Sequence, residues 1–319
     1  MLCVDINIKP KRASCETRGF FFMSMKRYEN EHQSCQIAIQ GGVASFHEIA
    51  SRKFFDNGIS ILPCQTFEDI ILALTEDRAP YGCFAIENTV AGSILQNYAL
   101  LKENPVEIIG EVYLKITQNL LALPGQRIED ISEVHSHHMA IAQCRQFFKD
   151  YPWIKLVESV DTAISAREIS EGRITGRGAI ASHLAAQTFL LEILAEGIET
   201  NKRNFTRFLI LAKKGSAQPT DKAPDKASLC FSLMHQTGSL SKILSVIAFY
   251  DINLTKIQSL PILGREWQYF FYVDVAFADY ARYRQCLAAI APLVDDMHIL
   301  GEYIHGVDTL ETIHQTLTK

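Results

Sequence analysis

The densest chemistry in this sequence lies in a polar run, residues 200–207, that leads directly into an apolar stretch. The run holds three cations and several hydrogen-bonding side chains, and Thr206 and Arg207 lie within the apolar stretch beside Phe208. A charged run is most often a solvated loop face, but an arginine that is buried needs an anion or a carboxylate partner. The run therefore indicates either a solvated loop or a site for a negatively charged ligand.

A second polar turn follows a strand-like apolar run at residues 83–86. It begins with Glu87 and Asn88 and ends in a glycine and a serine, just before a helical stretch. Thr89 or Ser93 could cap that helix, but a cap needs only one polar residue. Five of the seven residues in this turn are polar or glycine, and this excess favours a turn that faces a ligand.

Three histidines fall within residues 135–138 and raise the question of a metal ion. Apart from the nearby Glu133, no cysteine or carboxylate stands at a spacing that would complete a site, so we predict no metal centre. Ser136 is expected at the end of a strand, and Gln143 about two turns along the next helix. Simple solvation of Gln143 is compatible with that placement.

The turn after the first strand, residues 41–46, begins with two glycines but lacks the G-x-G-x-x-G spacing. The backbone therefore lacks the close approach to a pyrophosphate that dinucleotide binding requires, and we predict no nicotinamide cofactor. Ser45 is expected near a helix N-terminus, where amide donors and a hydroxyl could meet an anion. Ordinary turn chemistry is the alternative.

These polar segments must be positioned by an α/β framework. From residue 36 to 212, short apolar runs alternate with helical stretches, as when 37–39 is followed by 46–55. Such alternation predicts an α/β layer with parallel strands. About 175 residues of it predict two lobes with a cleft between them, and ligands usually bind at the carboxyl ends of such strands.

Beyond residue 212 the pattern changes. Residues 213–226 are polar and carry two prolines and no apolar period, which is typical of a linker. Residues 227–319 then follow the order strand, helix, strand, strand, helix, strand. That order predicts a ferredoxin-like βαββαβ domain.

The composition excludes several classes of protein. With 319 residues, 48% of them hydrophobic and 21% charged, the chain is globular, with a prior of about two or three domains. A net charge of −5 provides no broad positive field, so we predict neither nucleic acid nor a membrane surface as a partner. No C-x-x-C pair and no apolar run of about 20 residues occur, which predicts reduced thiols and a cytoplasmic protein.

The first 35 residues show no apolar period, and Met23 and Met25 stand just before the patterned part begins. We predict that residues 1–35 are a disordered N-terminal extension, or that they follow from a start codon placed too early.

In combination, the polar segments resemble the motifs of the prephenate dehydratase family, over residues 36–304. ENTVAGS at 87–93 is similar to the family's E-N-S-x-x-G-S turn, and TRF at 206–208 to its T-R-F signature. SHHM at 136–139 resembles S-H-P-Q with a substitution that removes an amide, and GGVASF at 41–46 resembles G-P-x-G-T-F.

The resemblance implies a two-lobed, periplasmic-binding-protein-like catalytic domain, residues 36–212. It also implies a lyase that converts prephenate to phenylpyruvate with loss of water and carbon dioxide, and that needs no cofactor. Thr206 would donate a hydrogen bond to the leaving hydroxyl, while Arg207 would hold substrate charge or orient Thr206 through a carboxylate such as Glu87. The implied catalytic set is Thr206, Arg207, Asn88, Gln143 and Ser136. The implied substrate-binding set is Ser45, Glu87, Thr89, Gly92, Ser93 and Phe208.

Residues 227–319 resemble the phenylalanine-sensing ACT domain of the same family. Two of its motifs differ here, since E-S-R-P reads QSLP at 258–261 and G-A-L reads GSL at 238–240. Such domains pair side by side, which implies a homodimer or homotetramer with L-phenylalanine as effector. The implied effector-binding residues are Gly238, Ser239, Leu240, Asn253, Leu254 and Ser259.

Two other functions stay open from the sequence. The chain could act on arogenate, the aminated analogue of prephenate. It could also be a non-catalytic sensor that binds an amino acid or keto acid in its cleft without turnover.

Overall fold

The computed structural model describes residues 35–55, 58–217, 222–234 and 236–306. The predicted N-terminal extension lies outside the described residues, apart from Cys35. Within the described ranges, no helix is long and apolar enough to cross a membrane.

Lobe 1 begins as a regular alternation of strands and helices. Its first strand is buried on both faces, with Ile37, Ala38 and Ile39 fully enclosed, as expected for a strand in a sheet covered on both sides. The elements in chain order are β1 (Cys35–Gln40), α1 (Phe46–Phe55), β2 (Ile59–Cys64), α2 (Phe67–Thr75), β3 (Tyr81–Asn88), β4 (Gly92–Ser93), α3 (Leu95–Glu103) and β5 (Val106–Lys115).

The chain then crosses to lobe 2 and returns. The elements are β6 (Asn119–Ala122), β7 (Glu133–His137), α4 (His138–Cys144), β8 (Lys155–Ser159), α5 (Thr162–Gly172), β9 (Arg177–Ala181), α6 (His183–Thr188), β10 (Glu192–Ala195) and the returning strand β11 (Phe205–Lys213). The lobe 2 sheet has the order β10-β6-β9-β7-β8. The chain therefore crosses between the lobes twice, after β5 and after β10, which gives the predicted two-lobed architecture.

The sheets are mixed rather than parallel throughout, which differs from the sequence prediction. The order in lobe 1 is β2-β1-β3-β11-β5, and β11 runs antiparallel to both β3 and β5. In lobe 2, β6 and β10 are likewise antiparallel to their neighbours. The reason lies in the crossings: β11 enters the centre of lobe 1 from lobe 2, without the intervening helix that would make it parallel.

A second difference lies near the end of lobe 2. The apolar pattern over residues 184–194 predicts one helix, but α6 ends at Thr188. Leu190 takes a left-handed backbone conformation with φ of 52°, and the chain continues as the edge strand β10. Periodicity alone cannot separate a short apolar helix from a helix followed by a strand.

The C-terminal part is a small ferredoxin-like domain, as predicted. Its four strands form an antiparallel sheet in the order β13-β14-β12-β15, and two helices cover one face. The elements are β12 (Lys226–Ser232), α7 (Ser239–Phe249), β13 (Asn253–Pro261), β14 (Tyr269–Ala276), α8 (Tyr280–Ile290) and β15 (Asp295–Tyr303).

The other face of this small sheet packs directly on lobe 1. One continuous apolar core contains Ile108 and Leu209 of lobe 1 together with Tyr272 and Leu300 of the small domain. Gly301 in β15 approaches so closely that an added Cβ would lie 2.2 Å from the carbonyl oxygen of Ile108. The small domain is therefore seated on the sheet that contains β3 and β11.

Candidate active site

The polar ends of β3 and β11 meet side by side. Asn88 pairs in register with Thr206, and its Nδ2 donates to the Thr206 Oγ1 over 2.9 Å. The orientation of the Asn88 amide is set by its oxygen, which accepts from the backbone amides of Val90 and Ala91. Since the Thr206 oxygen accepts a hydrogen bond, its own proton stays available to donate.

Asn204 extends this pair toward lobe 2. Its Oδ1 accepts from Asn88 Nδ2 at 2.7 Å, and its Nδ2 donates to Gln143 Oε1 at 2.9 Å. Asn204 is fully buried, and Gln143 comes from α4 of lobe 2. Three amides and one hydroxyl thus form a continuous chain across the junction of the lobes.

The lobes also touch where β1 ends. Asp161 of lobe 2 accepts from the backbone amide of Gly42, while its Oδ1 caps α5 by accepting from Ala163 and Ile164. Its Oδ2 lies 2.7 Å from where a Cβ on Gly41 would stand. Burial raises the pKa of the Asp161 carboxyl above its usual value, although these amide bonds oppose the shift.

A second contact between the lobes lies beside the first. Ser182 of lobe 2 donates from its Oγ to the carbonyl oxygen of Ala44 over 2.9 Å, and both residues are buried. The glycine turn of lobe 1 is therefore held against the helix starts of lobe 2, and the cleft is closed at this edge.

Two of the proposed substrate-binding residues have local structural partners. Ser45 is 2% exposed and its Oγ accepts from the amide of Glu48 at 3.4 Å, at the start of α1. Thr89 joins the β3 turn to the strand opposite, since its Oγ1 accepts from the Phe205 amide and donates to the Arg203 carbonyl.

Ser136 and Phe208 lie in buried structural positions. The Ser136 Oγ donates to the carbonyl oxygen of Ile180 over 2.7 Å, which ties β7 to β9. Phe208 is 1% exposed and packs edge-on against the ring of His47. Both lie in the framework beneath the polar chain.

Arg207 points away from the amide chain and toward the small domain. Each of its three guanidinium nitrogens has a partner, and the partners are Glu87, Glu111, Asp274 and Tyr303. Of the two roles that the sequence left open for Arg207, this geometry favours orientation of its neighbours over direct contact with a substrate.

Glu87 and Ser93 also face the small domain. Lys256 of β13 donates to the Glu87 carboxylate and to the Ser93 Oγ, the latter over 3.0 Å. Gly92 pairs with Asn88 in the β3–β4 ladder, and its φ of +84° explains why a glycine stands there.

The residues expected to bind an effector lie in two groups within the small domain. Gly238, Ser239 and Leu240 are at the start of α7, whereas Asn253 and Leu254 follow its end. The helix has 11 residues and spans about 16 Å, so the two groups lie at its opposite ends. Ser259 lies further along β13, beyond an irregularity in the pairing with β14, and is exposed like Asn253.

Sequence reasoning missed several residues of this arrangement, among them Asn204, Asp161, Ser182 and Asp274. Asn204 stands in the polar run that was singled out, and its place directly before the strand was the available signal. Asp161 and Ser182 cap α5 and α6 in the structure, and their contacts to lobe 1 have no sequence signature. Asp274 was detectable as a lone carboxylate between Val273 and Val275.

In the described part of the chain, no group of three or more histidine, cysteine, aspartate or glutamate side chains is placed to hold a metal ion. The hydrogen-bonded series of the Gln143, Asn204, Asn88 and Thr206 side chains consists of neutral donors and acceptors. Such an arrangement can orient a small polar ligand and place a hydroxyl proton on a departing oxygen.

A cleft of this kind between two α/β lobes, with a ferredoxin-like domain attached, defines a two-lobed α/β protein with an additional C-terminal domain. A family model described as prephenate dehydratase matches residues 37–216. The chain belongs to the prephenate dehydratase family, a family of lyases in aromatic amino acid biosynthesis.

Similar proteins agree with this assignment. The bifunctional chorismate mutase/prephenate dehydratase of Aquifex aeolicus is 35% identical over 270 residues, which cover 84% of this chain and 73% of that protein. Arogenate dehydratase/prephenate dehydratase 6 of Arabidopsis thaliana is 36% identical over 284 residues, with coverages of 84% and 68%.

Two solved structures are similar over most of the chain. The prephenate dehydratase from Arthrobacter aurescens in complex with L-Phe has a TM-score of 0.77 at 26% identity, covering 89% of this chain and 98% of that one. GqqA, described as a quorum quenching acylase, has a TM-score of 0.76 at 31% identity, covering 85% and 98%.

Proposed function

We propose that this chain converts prephenate to phenylpyruvate, with loss of water and carbon dioxide, in L-phenylalanine biosynthesis. We assign the catalytic domain to residues 36–212, the linker to 213–226 and a regulatory domain to 227–319. The observation that carries the proposal is the hydrogen bond from Asn88 to Thr206, which leaves the Thr206 proton free for a leaving group. Membership of the family supports it.

The reaction needs little from the protein beyond placement and one proton. The bond between the ring and its carboxylate breaks, its electron pair enters the ring, and the C–O bond to the ring hydroxyl breaks at the far side. The hydroxyl takes up one proton and departs as water, and the carboxylate departs as carbon dioxide. Aromatisation of the ring supplies the driving force.

Thr206 is the proposed donor to that hydroxyl. An alkyl alcohol is a poor source of a free proton near neutral pH, so Thr206 acts as a positioned donor that relays a proton. The hydrogen bond from Asn88 polarises the Thr206 hydroxyl. It thereby strengthens the hydrogen bond that Thr206 donates to the leaving hydroxyl. General acid catalysis of this kind contributes roughly 10² to 10⁴-fold in rate.

The neutral character of the amide chain suits the loss of a carboxylate. A cationic group beside the ring carboxylate would stabilise it in the ground state and oppose its departure. Arg207, the buried cation nearest in sequence to Thr206, is turned toward carboxylates of its own.

Arogenate is the second candidate substrate, and a specific observation favours including it. Similar proteins include arogenate dehydratase 1 of Petunia hybrida, 36% identical over 286 residues. Arogenate carries an ammonium where prephenate carries a keto group, and Asp161 places a carboxylate at the contact between the lobes. A lower ratio of arogenate to prephenate turnover in Asp161→Asn would assign that carboxylate to the ammonium.

We further propose regulation by L-phenylalanine through the small domain. The related protein from Arthrobacter aurescens is described in complex with L-Phe. In one chain the two groups of implied effector residues stand at opposite ends of α7, so a site that uses both would need two copies. A homodimer or homotetramer is therefore part of the proposal, and its expected location remains the cytoplasm.

The test is phenylpyruvate formation by the purified protein, with prephenate and arogenate in parallel and with and without phenylalanine. Turnover of prephenate without added metal or nucleotide is the expected result, and inhibition or activation by phenylalanine would support the regulatory part. A folded protein that binds prephenate but turns over neither substrate would instead be the non-catalytic sensor.

A further inference from the structure

Two adjacent residue pairs of the β3–β11 ladder face different surfaces, one the cleft and the other the small domain. Thr206 pairs with Asn88 in one rung, and both belong to the amide chain of the cleft. Arg207 pairs with Glu87 in the next rung, and both side chains face the small domain. The catalytic rung is thus directly continuous with a rung that the small domain holds.

Asp274 of the small domain contacts Arg207 of this second rung directly. The Arg207 Nη1 donates to its Oδ2 over 2.5 Å, and its Oδ1 accepts from the Ser228 Oγ at 2.6 Å. Arg207 and Asp274 are 3% and 6% exposed. Burial raises the pKa of the Asp274 carboxyl, but the Arg207 charge, the hydrogen bonds from Ser228 and Arg207 and the Lys226 charge together outweigh burial, so that pKa lies below its usual value.

The other member of the rung is held from the same domain. Lys256 donates to Glu87, and Tyr303 accepts from Arg207 over 3.0 Å. The charged groups of this cluster balance, with three cations and three carboxylates. They are Arg207, Lys226, Lys256, Glu87, Glu111 and Asp274.

We propose that Asp274 is a positioning residue for the dehydration, an inference that rests on the proposed function. Thr206 and Arg207 are consecutive, so a clamp on the guanidinium restricts the backbone that carries the Thr206 hydroxyl. Loss of the Asp274 charge leaves the buried cluster with an excess positive charge. The first residues of β11 then shift relative to β3, and the hydrogen bond from Asn88 to Thr206 is weakened.

The test compares two carboxylate variants of the small domain in the full-length protein. Asp274→Asn keeps the shape of the side chain and should lower kcat about 10- to 100-fold with KM changed less than about threefold, since small misplacements reach that size. Asp279→Asn is the matched control, because Asp279 caps α8 in the same domain and, among the described residues, accepts from the amides of Ala281 and Arg282 alone. Its kcat should stay at the wild-type value.

Coupling to Thr206 separates positioning from general destabilisation. In a Thr206→Ser background the effect of Asp274→Asn on kcat should be smaller than in the wild type, because both changes act on one hydroxyl. Equal effects in both backgrounds would overturn the inference, as would a kcat for Asp274→Asn that matches that of Asp279→Asn.

Ser228→Ala provides a variant that keeps every charge, should Asp274→Asn fail to fold. It removes the donor to the Asp274 Oδ1 and should lower kcat in the same direction, by a smaller factor. An unchanged kcat in a folded Ser228→Ala would count against the inference. If the wild type turns over substrate and Asp274→Asn and Ser228→Ala keep the wild-type kcat, this inference alone is overturned. If the wild type acts on neither prephenate nor arogenate, the proposed function is overturned, and the inference with it.

Discussion

The Asn204 side chain is hydrogen-bonded to the Gln143 side chain, and the backbone that precedes Asn204 is hydrogen-bonded to the Gln143 main chain. The Asn204 Nδ2 donates to the Gln143 Oε1 over 2.9 Å, and the Thr200 amide donates to the Gln143 carbonyl oxygen over 2.9 Å. Both donors belong to the segment that returns from lobe 2 to lobe 1. The position of Gln143 relative to Thr206 is therefore set by this returning segment.

Replacement of Asn204 by alanine should interrupt the amide chain. It removes the donor to the Gln143 Oε1 and one of the two acceptors of the Asn88 Nδ2, and a buried group that is left unpaired costs about 1–3 kcal/mol. We expect kcat to fall roughly 10- to 100-fold and the urea unfolding midpoint to drop. Asn201→Ala is the control, since Asn201 is exposed and, within the part of the chain that the structure describes, its side chain accepts from the Arg203 amide alone. Equal kinetics for the two variants would contradict this role.

Thr206→Ala should lower kcat by roughly 10² to 10⁴-fold with little change in KM, because the hydroxyl is used mainly in the transition state. Thr206→Ser keeps the hydroxyl and should retain much of the activity. Steady-state phenylpyruvate formation measures both. Near-normal turnover by Thr206→Ala would remove Thr206 from the mechanism.

Gly41→Ala should damage activity beyond its effect on stability. The φ of Gly41 is +92°, and a Cβ there would stand 2.7 Å from the Asp161 carboxylate, so the contact between the lobes must open. Gly125→Ala is the matched control, with a φ of +85° and nothing within 4 Å of its added Cβ. Both should lose about 1–2 kcal/mol of stability, but only Gly41→Ala should lower kcat/KM strongly. Similar kcat/KM values for the two would argue against a closed cleft in catalysis.

Lys226→Met should destabilise the protein strongly. Lys226 is 1% exposed and donates to both oxygens of Glu111, which has no exposed side-chain surface. Burial first, and then the nearby Arg207, lower the pKa of Lys226 despite this pairing. Removal of one partner of a buried pair costs roughly 3–5 kcal/mol.

The double variant Lys226→Met with Glu111→Gln should recover part of that loss, because it removes one charge of each sign. The exposed pair of Lys213 with Asp77 is the comparison, and Lys213→Met should change the unfolding free energy by less than about 1 kcal/mol. Unfolding in urea measures all three. An equally small effect of Lys226→Met would show that the buried cluster does not stabilise the fold.

His47 should make stability fall at acidic pH. Its Nε2 is enclosed and has no hydrogen-bond partner in the described part of the chain, and burial lowers its pKa from 6.5 to about 3. A pKa that is lower in the folded state means that stability is complete above pH 6.5 and is lost as the pH falls toward 3. The slope for one proton is about 1.4 kcal/mol per pH unit.

His47→Phe should flatten that slope by one proton, and the phenylalanine ring suits the site because His47 already packs against Phe67 and Phe208. Burial also lowers the pKa of His137 and of His305, so part of the slope should remain. Unfolding free energies between about pH 7.5 and about pH 5 measure the difference, a range above the carboxylate transitions. Identical slopes for variant and wild type would exclude His47 as their source.

Local pattern was sufficient to predict the two lobes, the small domain and the two polar segments that contain Asn88 and Thr206. These features depend on period, strand ends and short motifs, which are properties of neighbouring residues. The same reasoning left a solvated loop or an anion site open for the run that contains Arg207, because a buried arginine needs an anionic partner whereas a solvated one does not.

The partners themselves were decided by tertiary structure. Arg207 meets Asp274 across 67 positions of sequence, and Asn88 meets Asn204 across 116. The antiparallel entry of β11 decides both, since it places Thr206 beside Asn88 and turns Arg207 toward the small domain. Contacts between residues so far apart in sequence depend on how the chain crosses between the lobes. Local sequence patterns do not predict that connectivity.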